Sequence, residues 1–355
     1  MKELLFDELL SRTIRDFPDT RYQGSKLKVL DWIWAHIEKF EFYSVLDAFG
    51  GTGCLAYLFK TKGKKVAYND VLRFNYIIGK ALVENSTSEL TNKDVDYLLS
   101  QHKTVKYRSI IADNFLDVYF TDDENHWIDM VVQNIEVLDN DYKKAIALFA
   151  LFQSCIIKRP YNLFHRKNLY IRLQDVERSF GNKTSWDKPF EQHFRNFVRQ
   201  ANNAIFDNGE KNIALNKDVF HLEANFDLVY IDTPYLNASG VGVDYLGFYH
   251  FLEGLSNYDK WNELIDHKYK HRPIKHLKSV WADKKLIYDA FERLFWKFKD
   301  SILVVSYRSD GIPSEQELFE MVKNVKSNVM HYKFGKYKYV LSKNHTSEEI
   351  LIIGY

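Results

Sequence analysis

Asp232 is followed by Thr233, Pro234 and Tyr235, directly after the apolar run 226–231. That run reads as a buried strand, which puts the acid at a strand end ahead of a turn stiffened by proline. A carboxylate accepts hydrogen bonds from an amino group, and a tyrosine ring stacks on a base face. An acid beside an exposed aromatic suits the holding of a flat, polar ring.

A second motif lies upstream. Val45 to Phe49 read as a strand running into Gly50-Gly51-Thr52-Gly53, and Leu55, Tyr57, Leu58 and Phe59 mark a helix that closes near Gly63. The run 66–70 reads as the next strand and ends on Asp70. Glycines at the first turn of such a βαβ unit let a ligand approach the backbone. An acid about 20 residues after the loop is spaced to meet a ribose diol. The loop is neither a full G-x-G-x-x-G fingerprint nor a phosphate loop, and positions 50–53 carry no basic residue for a pyrophosphate. An adenosine ligand without phosphates, such as S-adenosylmethionine, therefore fits better than NAD or ATP.

With both motifs in this order, the chain resembles the Dam-like (alpha-group) N6-adenine-specific DNA methyltransferases. Arg21-Tyr22-Gln23-Gly24-Ser25-Lys26 looks like that family's N-terminal motif, ahead of an amphipathic helix carrying Leu27, Leu30, Ile33, Trp34 and Ile37. The run 302–311 looks like its later strand and loop. The match covers about 21–85 and 212–355. One position departs from the pattern. The family usually has Asp-Pro-Pro-Tyr, and Thr233 stands for the first proline while still supplying a backbone carbonyl.

The resemblance implies a doubly wound, mostly parallel α/β sheet of the Rossmann-like methyltransferase kind. It implies methyl transfer from S-adenosylmethionine, with no metal, to the N6 amino group of an adenine turned out of duplex DNA. Asp232, Thr233, Pro234 and Tyr235 would form the catalytic turn. Tyr22, Lys26, Asp47, Phe49, Gly51, Gly53, Asp70 and Asp218 would hold the cofactor. Within that set Tyr22 and Lys26 face its methionine end, Asp70 its ribose and Asp218 its adenine ring. The implied setting is a restriction-modification system in a prokaryotic cytoplasm, at the nucleoid, with a monomeric enzyme and a cognate endonuclease as possible partner. Two other readings stay open: an amino-group methyltransferase acting on RNA or a protein glutamine, and a relative that binds DNA without catalysis.

Composition agrees. The chain has 355 residues, 46% hydrophobic and 16% aromatic, enough for a large core. Two cysteines, Cys54 and Cys155, suit a reducing compartment and cannot make a four-cysteine zinc site. No apolar run approaches the length needed to cross a bilayer, and the acidic, mixed N-terminus does not read as a signal peptide.

A net charge of +1 hides an uneven distribution. Ten basic residues face four acids between 158 and 199, interleaved with aromatics, which is what a DNA-contacting insert needs. Lys158, Arg159, Arg166, Lys167, Arg172 and Arg178 are its candidate DNA contacts. A second basic stretch runs from Lys268 to Lys285. The expected organisation is an N-terminal extension (1–20), a catalytic domain (21–85 and 211–355) and an inserted, mainly helical domain (86–210) for target recognition. The helix around 145–152 should be buried. Runs at 329–334, 337–341 and 349–353 read as strands, with Gly335-Lys336 signalling an antiparallel C-terminal hairpin.

Overall fold

Strands buried on both faces are apolar almost throughout, because water touches neither side. The runs around Val45, Leu228 and Ile350 have that character, and all three lie inside one sheet. The computed structural model describes residues 16–174, 183–237, 240–275, 279–335 and 347–355. Its strands are β1 (Ser44–Asp47), β2 (Lys65–Asn69), β3 (Ile213–Leu215), β4 (Leu228–Ile231), β5 (Leu236–Asn237), β6 (Ile302–Arg308), β7 (Gly311–Ile312), β8 (Val329–Phe334) and β9 (Glu349–Gly354).

Seven of them form a sheet in the order β3-β2-β1-β4-β6-β9-β8. β3, β2, β1, β4 and β6 run parallel, and β9 is antiparallel to both β6 and β8. The antiparallel C-terminal pair is therefore β8 with β9, Phe334 opposite Glu349. The expected strand at 337–341 lies outside the described residues.

The chain leaves β1 toward β2 and β3 on one side and returns at β4 to build the other side. Ligands bind at such a reversal, outside the carboxyl ends of the strands. Tyr230 of β4 lies opposite Asp47 of β1, so the turns that follow these two strands open side by side.

Helices cover both faces. α1 (Leu30–Ile37), α2 (Cys54–Thr61) and α3 (Arg73–Gly79) lie on one, with α4 (Asp122–Glu136), α5 (Asp141–Ile157), α6 (Phe190–Ala204) and α7 (Tyr245–Ser256). α8 (Ile287–Lys297) and α9 (Glu315–Lys323) cover the other. α5 is buried from Ala145 to Ile156, around the expected helix. α6 buries Phe190, Phe194, Phe197 and Ala201 at helical spacing along one stripe. The inserted region does not stand on a core of its own. Phe152 packs edge-on against Phe74 of α3, and the Tyr57 hydroxyl of α2 donates to the Ala204 carbonyl. No described helix is long and apolar enough to cross a membrane.

Candidate active site

The two motifs meet in one cavity of about 1030 Å³. Its walls come from Tyr22 to Lys26, the β1 loop, Asp70, the turn at Asp218, the turn after β4, residues 240–246 and the segment 279–282. Tyr22, Lys26, Asp47, Phe49, Gly51, Asp70, Asp218, Asp232, Pro234 and Tyr235 all line it. Gly53 sits just behind. Its left-handed backbone (φ +77°) starts α2, a conformation that glycine adopts without strain.

The glycine loop is shaped by Tyr68. Its hydroxyl donates to the Gly51 carbonyl at 2.7 Å, and its ring fills the space where a Gly50 Cβ would stand. Asn69 ties three loops together. Its amide donates to the carbonyls of Ala48 and Lys217, and its oxygen accepts from the Lys217 N–H. Asp218 is thereby held at the cavity edge, where it also caps the turn 219–221 through the Phe220 N–H.

Asp70 accepts from the N–H groups of Gly51 and Leu72 and from the Asn75 amide, at 2.8–3.0 Å. Burial pushes its carboxyl up to about 6, against the pull of those donors. A carboxylate's two oxygens offer about four lone-pair sites, so the three donors leave room for one hydroxyl of a ligand. Asn75 also donates to the Tyr22 hydroxyl, and its side-chain amide oxygen is buried without a hydrogen-bond donor. The Tyr22 ring lies flat between Tyr249 (centroids 4.6 Å apart) and Tyr245 (5.5 Å).

Asp47 is buried at the end of β1, and burial pushes it up to about 8, helped by Asp232 and Asp70. Asp232 is pushed up to about 7 by burial, with Lys26 pulling down and Glu349 pushing up. Six acids and two lysines line the cavity among the described residues. Such a site favours a ligand carrying positive charge. Phe49 stands edge-on to Trp281, which stacks on Phe220 and gives the far end an aromatic wall. An acidic cleft with an acceptor for a ribose hydroxyl at Asp70, an unfilled acceptor at Asn75 and an aromatic wall fits S-adenosylmethionine, a cationic nucleoside.

Two placements, of Tyr235 and Lys26, differ from the sequence reading. Tyr235 is only 6% exposed: β5 pairs with β7, which closes the ring against Tyr307 (5.8 Å, edge to face) under the Arg308 guanidinium. The Thr233 side chain is buried away from the cavity, its hydroxyl without a partner. The Lys26 ammonium is turned onto Asp232 (3.2 Å) and Glu349 (2.7 Å). Glu349 was not legible as a site residue. Its one signal was a charge at the head of an otherwise apolar run, and it lies 323 positions from Lys26.

The basic insert divides. Lys158 is buried, donates to the carbonyls of Trp186 and Lys188, and pairs with Glu124 at 3.0 Å. Arg159 is buried under Tyr119 and Phe164 and bonds to Asn168 and the Tyr119 carbonyl. Arg172 grips Glu124 with both terminal nitrogens. These three are interior ties rather than exposed contacts, because buried helix ends and Glu124 satisfy them first. Arg166 and Lys167 are exposed, and Arg178 lies outside the described residues.

The profile of the D12 class of N6 adenine-specific DNA methyltransferases matches residues 22–321. The chain belongs to this family. It is 30% identical to Type II methyltransferase M2.HphI of Haemophilus parahaemolyticus over 86% of this chain and 88% of that protein. It is 23% identical to Type II methyltransferase M.NlaIII of Neisseria lactamica, over 90% of each. Type II methyltransferase M.FokI of Planomicrobium okeanokoites is 27% identical over 86% of this chain and 47% of its own length. As a D12 class methyltransferase the chain has the mostly parallel sheet described above, with its antiparallel end.

Proposed function

We propose that this D12 class methyltransferase transfers a methyl group from S-adenosylmethionine to the N6 amino group of an adenine turned out of double-stranded DNA. The observation that carries the reading is the shared cavity. An acid that can hold an amino group and a loop that can hold a nucleoside open into one acidic space. Bound there, the donor supplies an activated methyl: its C–S bond breaks as the N–C bond forms, leaving a neutral thioether.

The chain's part is positioning. Asp70 takes one hydroxyl of the ribose diol, Asn75 and the Gly51–Gly53 backbone face the rest of the donor, and Asp218, Phe49 and Trp281 flank its purine. Asp232 and the Thr233 carbonyl accept the two amino hydrogens, which turns the nitrogen lone pair toward the methyl. The product nitrogen sheds one proton, for which Asp232 is the nearest base. An adenine inside the duplex is out of reach, so the base leaves the stack at a cost of a few kcal/mol, and the edge of Tyr235 at the cavity wall receives it.

For DNA the reading uses the exposed charges. Arg166 and Lys167 sit beside the hairpin that Ile265 and Ile274 close, which exposes Lys268, Tyr269 and Lys270. The two segments meet at Tyr119, whose hydroxyl lies within hydrogen-bond reach of the Phe164 and His271 carbonyls and of His250. His250 belongs to α7, whose first residue, Tyr245, lines the cavity. We assign this joint face of the 86–210 region and the 265–274 hairpin to target DNA. A monomer at the nucleoid, paired with a cognate endonuclease, completes the reading.

Tritium transfer from labelled S-adenosylmethionine tests it. Label in N6-methyladenine of duplex DNA, lost in Asp232→Ala with the fold intact by circular dichroism, is the expected result. Label in RNA or protein alone, or none at all, overturns it.

A further inference from the structure

We propose that Glu349 is a positioning residue of the transfer reaction, acting on Asp232 through the Lys26 ammonium. This rests on the methyl-transfer reading above. Three groups from distant parts of the chain meet at one nitrogen. Lys26 comes from the turn before α1, Asp232 from the turn after β4, and Glu349 from the head of β9. Lys26 Nζ lies 2.7 Å from Glu349 Oε1 and 3.2 Å from Asp232 Oδ1. Glu349 is fully buried and is itself held by the Ser306 hydroxyl of β6.

The asymmetry gives the trio its meaning. Asp232 keeps 18% of its side chain exposed toward the cavity, and Glu349 keeps none. One buried cation is shared by two carboxylates, and the closer one cannot reach substrate. A buried carboxylate that touches no ligand carries a desolvation cost. Here it does two things for the exposed one. It anchors the ammonium, which fixes where Asp232 points, and it competes for the ammonium's charge, which leaves Asp232 more basic than a simple ion pair would. A hydrogen-bond acceptor for an amino group needs both.

The other groups facing this site set the background. Tyr230 and Tyr235 face both Asp232 and Glu349, Tyr245 faces Asp232, Asp47 adds negative charge from β1, and Arg308 lies beyond Tyr235. Burial pushes all three tyrosines above their ordinary range, so they stay neutral across the working pH. Asp232 and Asp47 are left to titrate, beside the paired charges of Lys26 and Glu349.

The test compares the wild-type enzyme with Glu349→Gln and Glu349→Asp. Glu349→Gln keeps an acceptor for Lys26 and removes the competing charge. The acid limb of kcat/KM should move down by about one pH unit. The 13C titration midpoint of the Asp232 carboxyl, assigned by difference from Asp232→Asn, should move with it. Glu349→Asp keeps the charge and draws Lys26 back by one methylene. Its acid limb should not move down, since the competing charge stays and Lys26 recedes, while kcat falls about ten- to a hundredfold at unchanged KM. A purely structural Glu349 would lower melting temperature and move neither the limb nor the midpoint. Wild-type limb and midpoint in folded Glu349→Gln overturn the inference and leave the methyl-transfer reading standing. If Glu349→Gln does not fold, wild-type kcat in Glu349→Asp overturns it. A wild-type enzyme that transfers no label to DNA overturns both.

Discussion

At the scale of single residues, the site runs on buried carboxylates. Asp232 is pushed up to about 7. Only the ionised carboxylate can take the departing proton, and it is the stronger acceptor, so kcat/KM of the wild-type enzyme should fall as pH drops through about 7, a loss read from initial rates at saturating donor. Asp47 is raised further, to about 8 from an ordinary 3.8. The folded chain holds that proton more tightly than the unfolded chain, so the stabilisation is full below about 3.8 and is lost as pH rises through about 8. Asp47→Asn should therefore raise the melting temperature by about 2 °C at pH 8 and by less at pH 5, measured by calorimetry. Thr233 is a third case. Its buried hydroxyl has no partner, and an unmet polar group costs about 1–3 kcal/mol. Thr233→Val should gain about 1 kcal/mol in urea unfolding with methyl transfer retained, because the backbone carbonyl stays.

At the scale of elements, the glycine loop depends on one ring. Tyr68 of β2 fills the space beside both Gly50 and Gly79, and its hydroxyl reaches the carbonyls of Gly51 and Asn75. Gly50→Ala forces the ring and the loop apart, with an expected cost of about 1–3 kcal/mol. Donor affinity by isothermal calorimetry should weaken with it, since Gly51 also holds Asp70. The insert depends on a different tie. Lys158 from the end of α5 and Arg172 both close on Glu124 near the start of α4. Arg172→Ala leaves part of that buried charge unmet and should cost about 3 kcal/mol, seen as a lower urea midpoint.

At the scale of the whole molecule, the exposed face and the interior ties should separate experimentally. Replacing Arg166 and Lys167 with alanine should weaken DNA binding uniformly across sequences and reduce the salt slope by about 2, without lowering the melting temperature. Arg172→Ala should do the reverse. Fluorescence anisotropy at several salt concentrations, set beside thermal melts, reads both. One helix, α7, touches both regions: it carries His250 into the Tyr119 contact and Tyr245 and Tyr249 onto Tyr22.

The βαβ unit around Gly50–Gly53, the strand before Asp232, the buried helix around 145–152 and the antiparallel end were legible in the sequence. Each is a local pattern: a buried strand is a short apolar run, and a ligand loop needs glycine. Asp47, Asp70 and Asp232 could be picked out for the same reason, as acids at strand ends. Partner choice was not legible. Lys158 and Arg166 are both basic residues in one short stretch, and only packing puts the first beside Glu124 and the second in water. Lys26, Asp232 and Glu349 share no local pattern, since the strand order β4-β6-β9 alone brings them to one nitrogen. A chain specifies strands and turns through neighbours in sequence. Which charge is buried, and against what, is decided by desolvation and pairing in the assembled sheet.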